Sequence, residues 1–158
     1  MRRGIAAVIA LLLLLPLPGR GEGERGKVGS TAVGHMEIIL YIWGPRELVG
    51  PRAHAAPEPG QQVTHHLDVT VFDQLRRLYV PYLDVQATVI DMTTRREFSV
   101  DLEPMIGEWL HYGANIALPH TGRYSVVVTI LPPDIPRYKH LADVWKTPAQ
   151  AVFEYTYR

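Results

Sequence analysis

Apolar and polar residues alternate along most of the chain beyond residue 35. Between residues 64 and 72, Leu67 and Val69 fall on one face, and His66 and Asp68 fall on the other. Because successive side chains of a strand point to opposite faces, this period of two predicts half-buried β-strands. By this criterion and by β-rich composition, the predicted strands are 36–43, 64–72, 83–90, 97–102, 115–118, 123–131 and 151–157.

The same pattern predicts an all-β fold. Beyond residue 21, the sequence shows no convincing period of 3.6 residues over ten positions. Short strands separated by Gly and Pro are typical of antiparallel sandwiches. Thr121-Gly122-Arg123-Tyr124, directly before the run VVVTIL, resembles the Tyr corner of immunoglobulin-like folds, in which the phenol ties the incoming loop to the strand. We therefore predict an immunoglobulin-like antiparallel β-sandwich of about seven strands.

The amino terminus has the order of a targeting segment. Arg2 and Arg3 precede the apolar run Ile5–Leu15, which Pro and Gly follow. A permanent membrane span needs about 20 apolar residues, so this shorter run predicts a secretory signal peptide over residues 1–21. An uncleaved membrane anchor is the alternative. Residues 22–34 are predicted to be a flexible lead-in and residues 35–158 a single exported or periplasmic domain.

The amino-acid composition excludes several classes of functional site. The chain has no Cys, which excludes disulfides, zinc ribbons and thiol catalysis. Sixteen basic residues balance sixteen acidic ones, so the broad basic footprint of nucleic-acid-binding proteins is missing. The sequence contains neither a Gly-x-Ser-x-Gly turn nor a glycine-rich phosphate loop. Metal binding, if present, must therefore rest on His, Met and carboxylate side chains.

A few residues could supply such a site. His66 and Asp68 project from one face of a strand, roughly 6.6 Å apart along the chain. Met105 and His111 lie near the two ends of the segment Glu103 to Tyr112, which is predicted to join two strands, and thioether plus imidazole favours copper. His140 lies in a proline-rich stretch. Each also has an ordinary structural interpretation, as a solvated pair, a core Met or a surface His, and spacing alone does not define a metal site.

Longer strings of the sequence resemble a known family. They resemble the bacterial periplasmic iron-transport proteins, which bind copper and iron and accompany an inner-membrane iron permease. The similarity covers about residues 35 to 158, in the family's order, and HYGAN is its most specific part. The family's immunoglobulin-like fold agrees with the strand pattern. The matching strings are HHLDV at 65–69, DLEPM at 101–105, HYGANIALP at 111–119, TGRYSVVVTILPP at 121–133, RYKH at 137–140 and VFEYTY at 152–157.

The resemblance also implies site residues. It places copper on Met105, His111 and His140, with His66 and Asp68 close by. Iron, as the transported ligand, would engage nearby carboxylate and imidazole groups, because oxygen-rich ligands suit iron better than a thioether does. The family further implies a homodimer and a permease partner. The expected function is thus metal binding in iron uptake, as a transport component rather than an enzyme.

Departures from the family's pattern keep two alternatives open. The family's strand Glu is Asp68 here, its first Met before HYG is Glu103, and the loop between His140 and Trp145 is shorter. One alternative is a β-sandwich interaction module that has lost its metal site. The other is a periplasmic copper chaperone without a role in iron transport.

Overall fold

The computed structural model describes residues 26–50 and 61–158. Within these ranges the chain forms nine β-strands and one short 3-10 helix, Lys139–Leu141. No helix of the described ranges is long and apolar enough to cross a membrane. The signal peptide predicted for residues 1–21 lies outside them. The strands are β1 Lys27–Val33, β2 Met36–Trp43, β3 His65–Asp73, β4 Leu78–Tyr79, β5 Asp84–Asp91, β6 Glu97–Ile106, β7 Leu110–Ile116, β8 Gly122–Leu131 and β9 Ala149–Tyr157.

All strand pairs are antiparallel, in the order β1-β2-β3-β7-β6-β5-β8-β9, with β4 on the side of β3. Strand β6 changes partner halfway: Leu102 pairs with Val85 of β5, whereas Glu103 pairs with Gly113 of β7. This exchange divides the strands between two layers, as in sandwiches whose strands switch sheets. The predicted all-β, immunoglobulin-like antiparallel sandwich is confirmed, with two strands more than the seven predicted.

The core lies between the layers and is built mainly from alternate residues of β2, β3, β5, β7, β8 and β9. On β3, Leu67 and Val69 are fully buried, and Leu40 of the neighbouring β2 packs in the same cluster. Burying such a side chain stabilises the fold by about 1.5–3 kcal/mol. Because the core takes every second residue, the remaining positions of β2, β3 and β7 face outward, and this outer face carries the candidate site.

The structure corrects two sequence predictions. The flexible lead-in predicted for residues 22–34 contains strand β1, which forms a hairpin with β2 through Gly34 at φ +60°. Its side chains are only half-buried or exposed, so they leave no clear hydrophobic alternation to read. The segment predicted to join two strands, Glu103 to Tyr112, is instead the end of β6 and the start of β7.

Two buried phenols fix loops to this framework. Tyr124 donates a hydrogen bond from Oη to the carbonyl of His120 at 2.6 Å, which confirms the predicted Tyr corner. Tyr112 donates to the Val80 carbonyl at 2.7 Å and accepts the Leu83 N–H at 3.0 Å. Burial raises the pKa of both Tyr112 and Tyr124. These phenols stay protonated and keep their loops attached at neutral pH.

Candidate metal centre

The candidate site lies on the outer face formed by β3 and β7. On β3, His66 and Asp68 are two residues apart and point outward, while Leu67 and Val69 enter the core. On β7 the outward positions are His111, Gly113 and Asn115. The register sets Asp68 opposite Gly113 and His66 opposite Asn115. Regular strand pairing therefore collects residues that are more than 40 positions apart in the sequence.

Three ligand-type side chains converge at this point. The Nε2 atom of His66 lies 2.9 Å from Oδ1 of Asp68, and the Nε2 atom of His111 lies 3.3 Å from the same oxygen. One ligand atom from each residue falls within 4.8 Å of the others. All three side chains are largely removed from solvent, at 3%, 13% and 12% exposure for His66, Asp68 and His111. This spacing suits a single cation bound by all three.

Neighbouring groups decide which imidazole nitrogens carry the protons. Nδ1 of His66 lies 2.9 Å from Oδ1 of Asn115, and the same amide donates from Nδ2 to the Arg46 carbonyl at 2.9 Å. Nδ1 of His111 lies 3.0 Å from the carbonyl oxygen of Trp109. Because these partners accept hydrogen bonds, each Nδ1 carries a proton, and in the neutral form each ring presents a lone pair on Nε2.

The carboxylate of Asp68 completes the cluster. Within the described ranges, Oδ1 of Asp68 is buried and accepts no hydrogen bond, although two Nε2 atoms lie close to it. Three electron-rich atoms thus face the same small space. A buried carboxylate oxygen without a partner is costly, and a metal cation removes that cost. This unpaired oxygen is the strongest structural sign of a metal site.

The second carboxylate oxygen is already engaged. The indole of Trp43, at the end of β2, donates from Nε1 to Oδ2 of Asp68 at 2.9 Å. The bond orients the carboxylate so that Oδ1 faces both imidazoles. Such outer hydrogen bonds to ligands are a regular part of metal sites.

Gly113 leaves the room that the ligands need. A Cβ atom at this position would lie 2.8 Å from Oδ1 of Asp68 and 2.9 Å from Nε2 of His66, closer than real Cβ contacts allow. It would also lie 3.1 Å from the Leu67 carbonyl oxygen. The ligand atoms of Asp68 and His66 occupy the space that a side chain at Gly113 would need, which explains the glycine of the HYG string. Any side chain at this position would displace those atoms.

A cavity of about 670 Å³ opens above the three ligands. Met105 lines it and pairs in register with His111 across β6 and β7, so the thioether shares the ligands' face. Two apolar residues of the rim, Val49 and Ile106, are almost fully exposed. Two imidazoles, one carboxylate and an adjacent thioether suit copper better than magnesium or calcium, which prefer oxygen ligands throughout.

The structure brings together four of the five predicted site residues. His66, Asp68 and His111 form the cluster, and Met105 lies in the same cavity. His140 does not line this cavity: it is exposed on the 3-10 helix, with its ring stacked on Tyr138 at a centroid distance of 5.8 Å.

Sequence reasoning did not identify three supporting residues, Trp43, Gly113 and Asn115. Gly113 and Asn115 stand within HYGAN. Because side chains alternate along a strand, these two residues lie on the same face of β7 as His111. That signal was therefore present in the sequence. The contact of Trp43 with Asp68 spans 25 positions and depends on how β2 pairs with β3. No local pattern reports such a register.

Comparisons with known proteins identify the family and the fold. The family model described as Fe2+ transport protein matches residues 62–158. No curated protein sequence matches the chain. Among solved structures, the copper-reconstituted P19 protein of Campylobacter jejuni is 19% identical and has a TM-score of 0.68, covering 83% of this chain and 94% of its own.

Two structures of FetP from uropathogenic Escherichia coli strain F11 are also similar. A copper-bound variant is 21% identical with a TM-score of 0.65, covering 83% of this chain and 95% of its own. The protein as isolated, after expression in the E. coli periplasm, is 20% identical with a TM-score of 0.66, covering 83% and 93%. At these identities the likeness establishes a shared fold.

Proposed function

Because the chain belongs to the Fe2+ transport protein family, we propose that it holds copper at the outer face of β3 and β7 and takes part in iron uptake. The copper-bound P19 and FetP structures, which share the fold, support the choice of metal. The unpaired Oδ1 of Asp68 between two imidazoles is the observation that carries the proposal.

The proposed ligands are His66, Asp68 and His111, with Met105 as the soft ligand beside them. Copper in either oxidation state accepts imidazole, and the thioether adds preference for Cu(I). Both histidines have Nδ1 engaged by an outer hydrogen bond and Nε2 facing the cluster, so little rearrangement is needed when the ion enters. Iron is the transported ion in this proposal and would engage carboxylates at the cavity rim, where Glu108 stands.

His140 and the partners belong to the finer part of the proposal. His140 lies outside the cavity of its own chain, so it would reach a copper centre only from a second copy in a homodimer. An inner-membrane iron permease would receive the iron. Both partners follow from the family resemblance, and sedimentation of a monomer at high concentration would remove the homodimer.

Export to the periplasm is also proposed. The predicted signal over residues 1–21 supports it, as does FetP, which was expressed in the E. coli periplasm. Expression of the full sequence in a Gram-negative host, followed by mass spectrometry of the periplasmic fraction, gives the mature amino terminus. Retention of residues 1–21 in the membrane fraction would favour the anchor.

The metal proposal is tested by titration of the protein purified from that fraction. Copper should bind at one equivalent and raise the midpoint of thermal unfolding, since an ion that binds the folded state alone stabilises it. His111→Ala should lose this binding. His120→Ala, which removes a histidine remote from the cavity, is the control and should keep one equivalent. Wild-type protein without copper affinity would leave the interaction-module alternative.

A copper chaperone without an iron role remains the competing function, because the Met105 thioether favours copper over iron. Iron uptake by cells that lack the gene separates the two. Uptake that falls on deletion and returns with the wild-type gene, but not with His111→Ala, supports iron transport. Unchanged iron uptake together with copper sensitivity would support the chaperone.

A further inference from the structure

We infer that Trp43 sets the metal selectivity of the centre by holding Asp68 as a ligand through one oxygen. The inference rests on the proposed copper site and concerns a residue outside its ligand set. Trp43 is a positioning residue: its indole contacts the carboxylate and acts on the ion through it.

The two oxygens of Asp68 have separate roles. Oδ2 accepts the indole N–H of Trp43 at 2.9 Å, whereas Oδ1 is the oxygen nearest both imidazole Nε2 atoms, at 2.9 Å from His66 and 3.3 Å from His111. Bidentate binding would require both oxygens to turn toward the ion. That rotation would take Oδ2 away from the indole and leave its half-buried N–H without an acceptor.

The indole cannot follow the carboxylate, because its surroundings hold it. The ring of Tyr41 stacks on it with centroids 5.8 Å apart and planes 7° apart, and the Arg46 guanidinium carbon lies 5.2 Å from the ring centroid. Gly26 packs directly against the indole ring: a Cβ atom added to Gly26 would lie only 2.6 Å from Cε3 of Trp43. The direction of the N–H is therefore fixed before any metal arrives.

One-oxygen binding by Asp68 changes which ions the site prefers. With a single carboxylate oxygen, two imidazoles and the Met105 thioether, the donor set is soft enough for copper. A second carboxylate oxygen would add a hard ligand and raise the coordination number, which favours ions such as Mn(II). Trp43 thus excludes the donor arrangement that harder ions need.

The test compares Trp43→Phe with wild type in affinity for Cu(I) and Mn(II), measured by competition titration under anaerobic conditions. We expect the ratio of Cu(I) to Mn(II) affinity to fall by about tenfold or more, the scale of outer-shell substitutions at metal sites. Trp145→Phe is the matched control. Trp145 also donates its indole N–H to a carboxylate of β3, Asp73 Oδ2 at 2.8 Å, but it does not line the cavity. Its substitution should leave the ratio unchanged.

A measurement on wild-type protein covers the case in which Trp43→Phe does not fold. In a 15N-labelled sample loaded with Ag(I), a diamagnetic substitute for Cu(I), the indole N–H of Trp43 should remain protected from solvent exchange. Loss of that protection on loading would overturn the inference, as would an unchanged affinity ratio in folded Trp43→Phe. Wild-type protein that binds no copper would overturn the proposed function and this inference together, whereas tight wild-type binding with an unchanged ratio overturns the inference alone.

Discussion

Two Asp–His clusters in this molecule use the same residue types but differ in how many hydrogen bonds their carboxylate oxygens accept. At the end of β5, both oxygens of Asp91 are filled with hydrogen bonds. Oδ1 accepts the backbone N–H groups of Thr93 at 2.8 Å and Thr94 at 3.2 Å. Oδ2 accepts the Thr94 hydroxyl at 2.6 Å and contacts Nε2 of His120 at 2.8 Å. At the centre of β3, Asp68 has one oxygen filled and one left without a donor.

The pKa shifts at Asp91 follow from its donors. The Thr94 hydroxyl, followed by backbone N–H groups and His120, lowers the pKa of Asp91 to about 2 against the effect of burial. The Thr121 carbonyl, which accepts from Nδ1, and the Asp91 carboxylate raise the pKa of His120. When His120 is protonated, one imidazolium balances one carboxylate, and the cluster fixes the turn between strands without any further ion.

At Asp68 fewer hydrogen-bond donors reach the carboxylate than at Asp91. Two imidazole Nε2 atoms face one carboxylate oxygen, both Nδ1 atoms are engaged by outer acceptors, and Oδ1 has no hydrogen-bond donor among the described residues. The comparison shows that saturation by donors, and not residue type, separates a structural ion pair from a metal centre.

The same substitution in each cluster gives the largest expected contrast. Asp68→Asn should weaken copper binding by about 100-fold or more, because a charged ligand is lost, and should leave metal-free stability unchanged or higher. Asp91→Asn should do the reverse, keeping copper affinity and lowering the midpoint of thermal unfolding by several degrees. Copper titration and thermal unfolding of both variants check this. Loss of stability without loss of affinity in Asp68→Asn would mean that the two clusters are alike.

Gly113→Ala sharpens the comparison without touching any ligand. The new Cβ would press on Oδ1 of Asp68 and Nε2 of His66, and we expect copper affinity to fall by about 10- to 100-fold while the protein still folds. Gly44→Ala is the control, because a Cβ there meets nothing within 4 Å. Equal affinity in both variants would show that the close approach at Gly113 is not needed for binding.

Asn115 tests whether the outer hydrogen bond to His66 matters. Asn115→Leu removes the acceptor of the Nδ1 proton, and copper affinity should fall by about tenfold. Asn115→Asp restores an acceptor for that proton and should recover most of the affinity, although it loses the bond to the Arg46 carbonyl. If the Asp variant binds as weakly as the Leu variant, the amide acts through Arg46 and the loop after β2.

The sequence pattern predicts the side of a strand on which a residue lies better than it predicts which strands pair in the sheet. The strand predicted at 36–43 has the observed bounds of β2, and the alternation of β3 correctly puts His66 and Asp68 on one face. Alternation does not say which strand lies beside β3, so it could not bring His111 to Asp68. That information came from the family resemblance, which the family model confirms.

Other features depend on contacts that leave no local signal. The bond from Trp43 to Asp68 exists because the register pairs Trp43 with His66. Strand β1 is stabilised by its pairing with β2 and is exposed or half-buried along its length, so its composition resembles that of a loop. His140 was assigned to copper by resemblance, and one chain by itself places it on another surface.

The smallest effect concerns pH and the saturated cluster. The pKa of Asp91 is lowered from 3.8 to about 2, so its contribution to stability is present above about pH 4 and is lost as the pH falls toward 2. The pKa of His120 is raised from 6.5, so its contribution is fully present below pH 6.5 and is lost as the pH rises through the raised value. In metal-free protein, the difference in unfolding midpoint between wild type and His120→Asn should therefore be largest between about pH 4 and pH 6.5 and should shrink on either side. A difference in unfolding midpoint that grew above pH 8 would mean that neutral His120 stabilises the turn. The proposed charge balance between His120 and Asp91 would then be wrong.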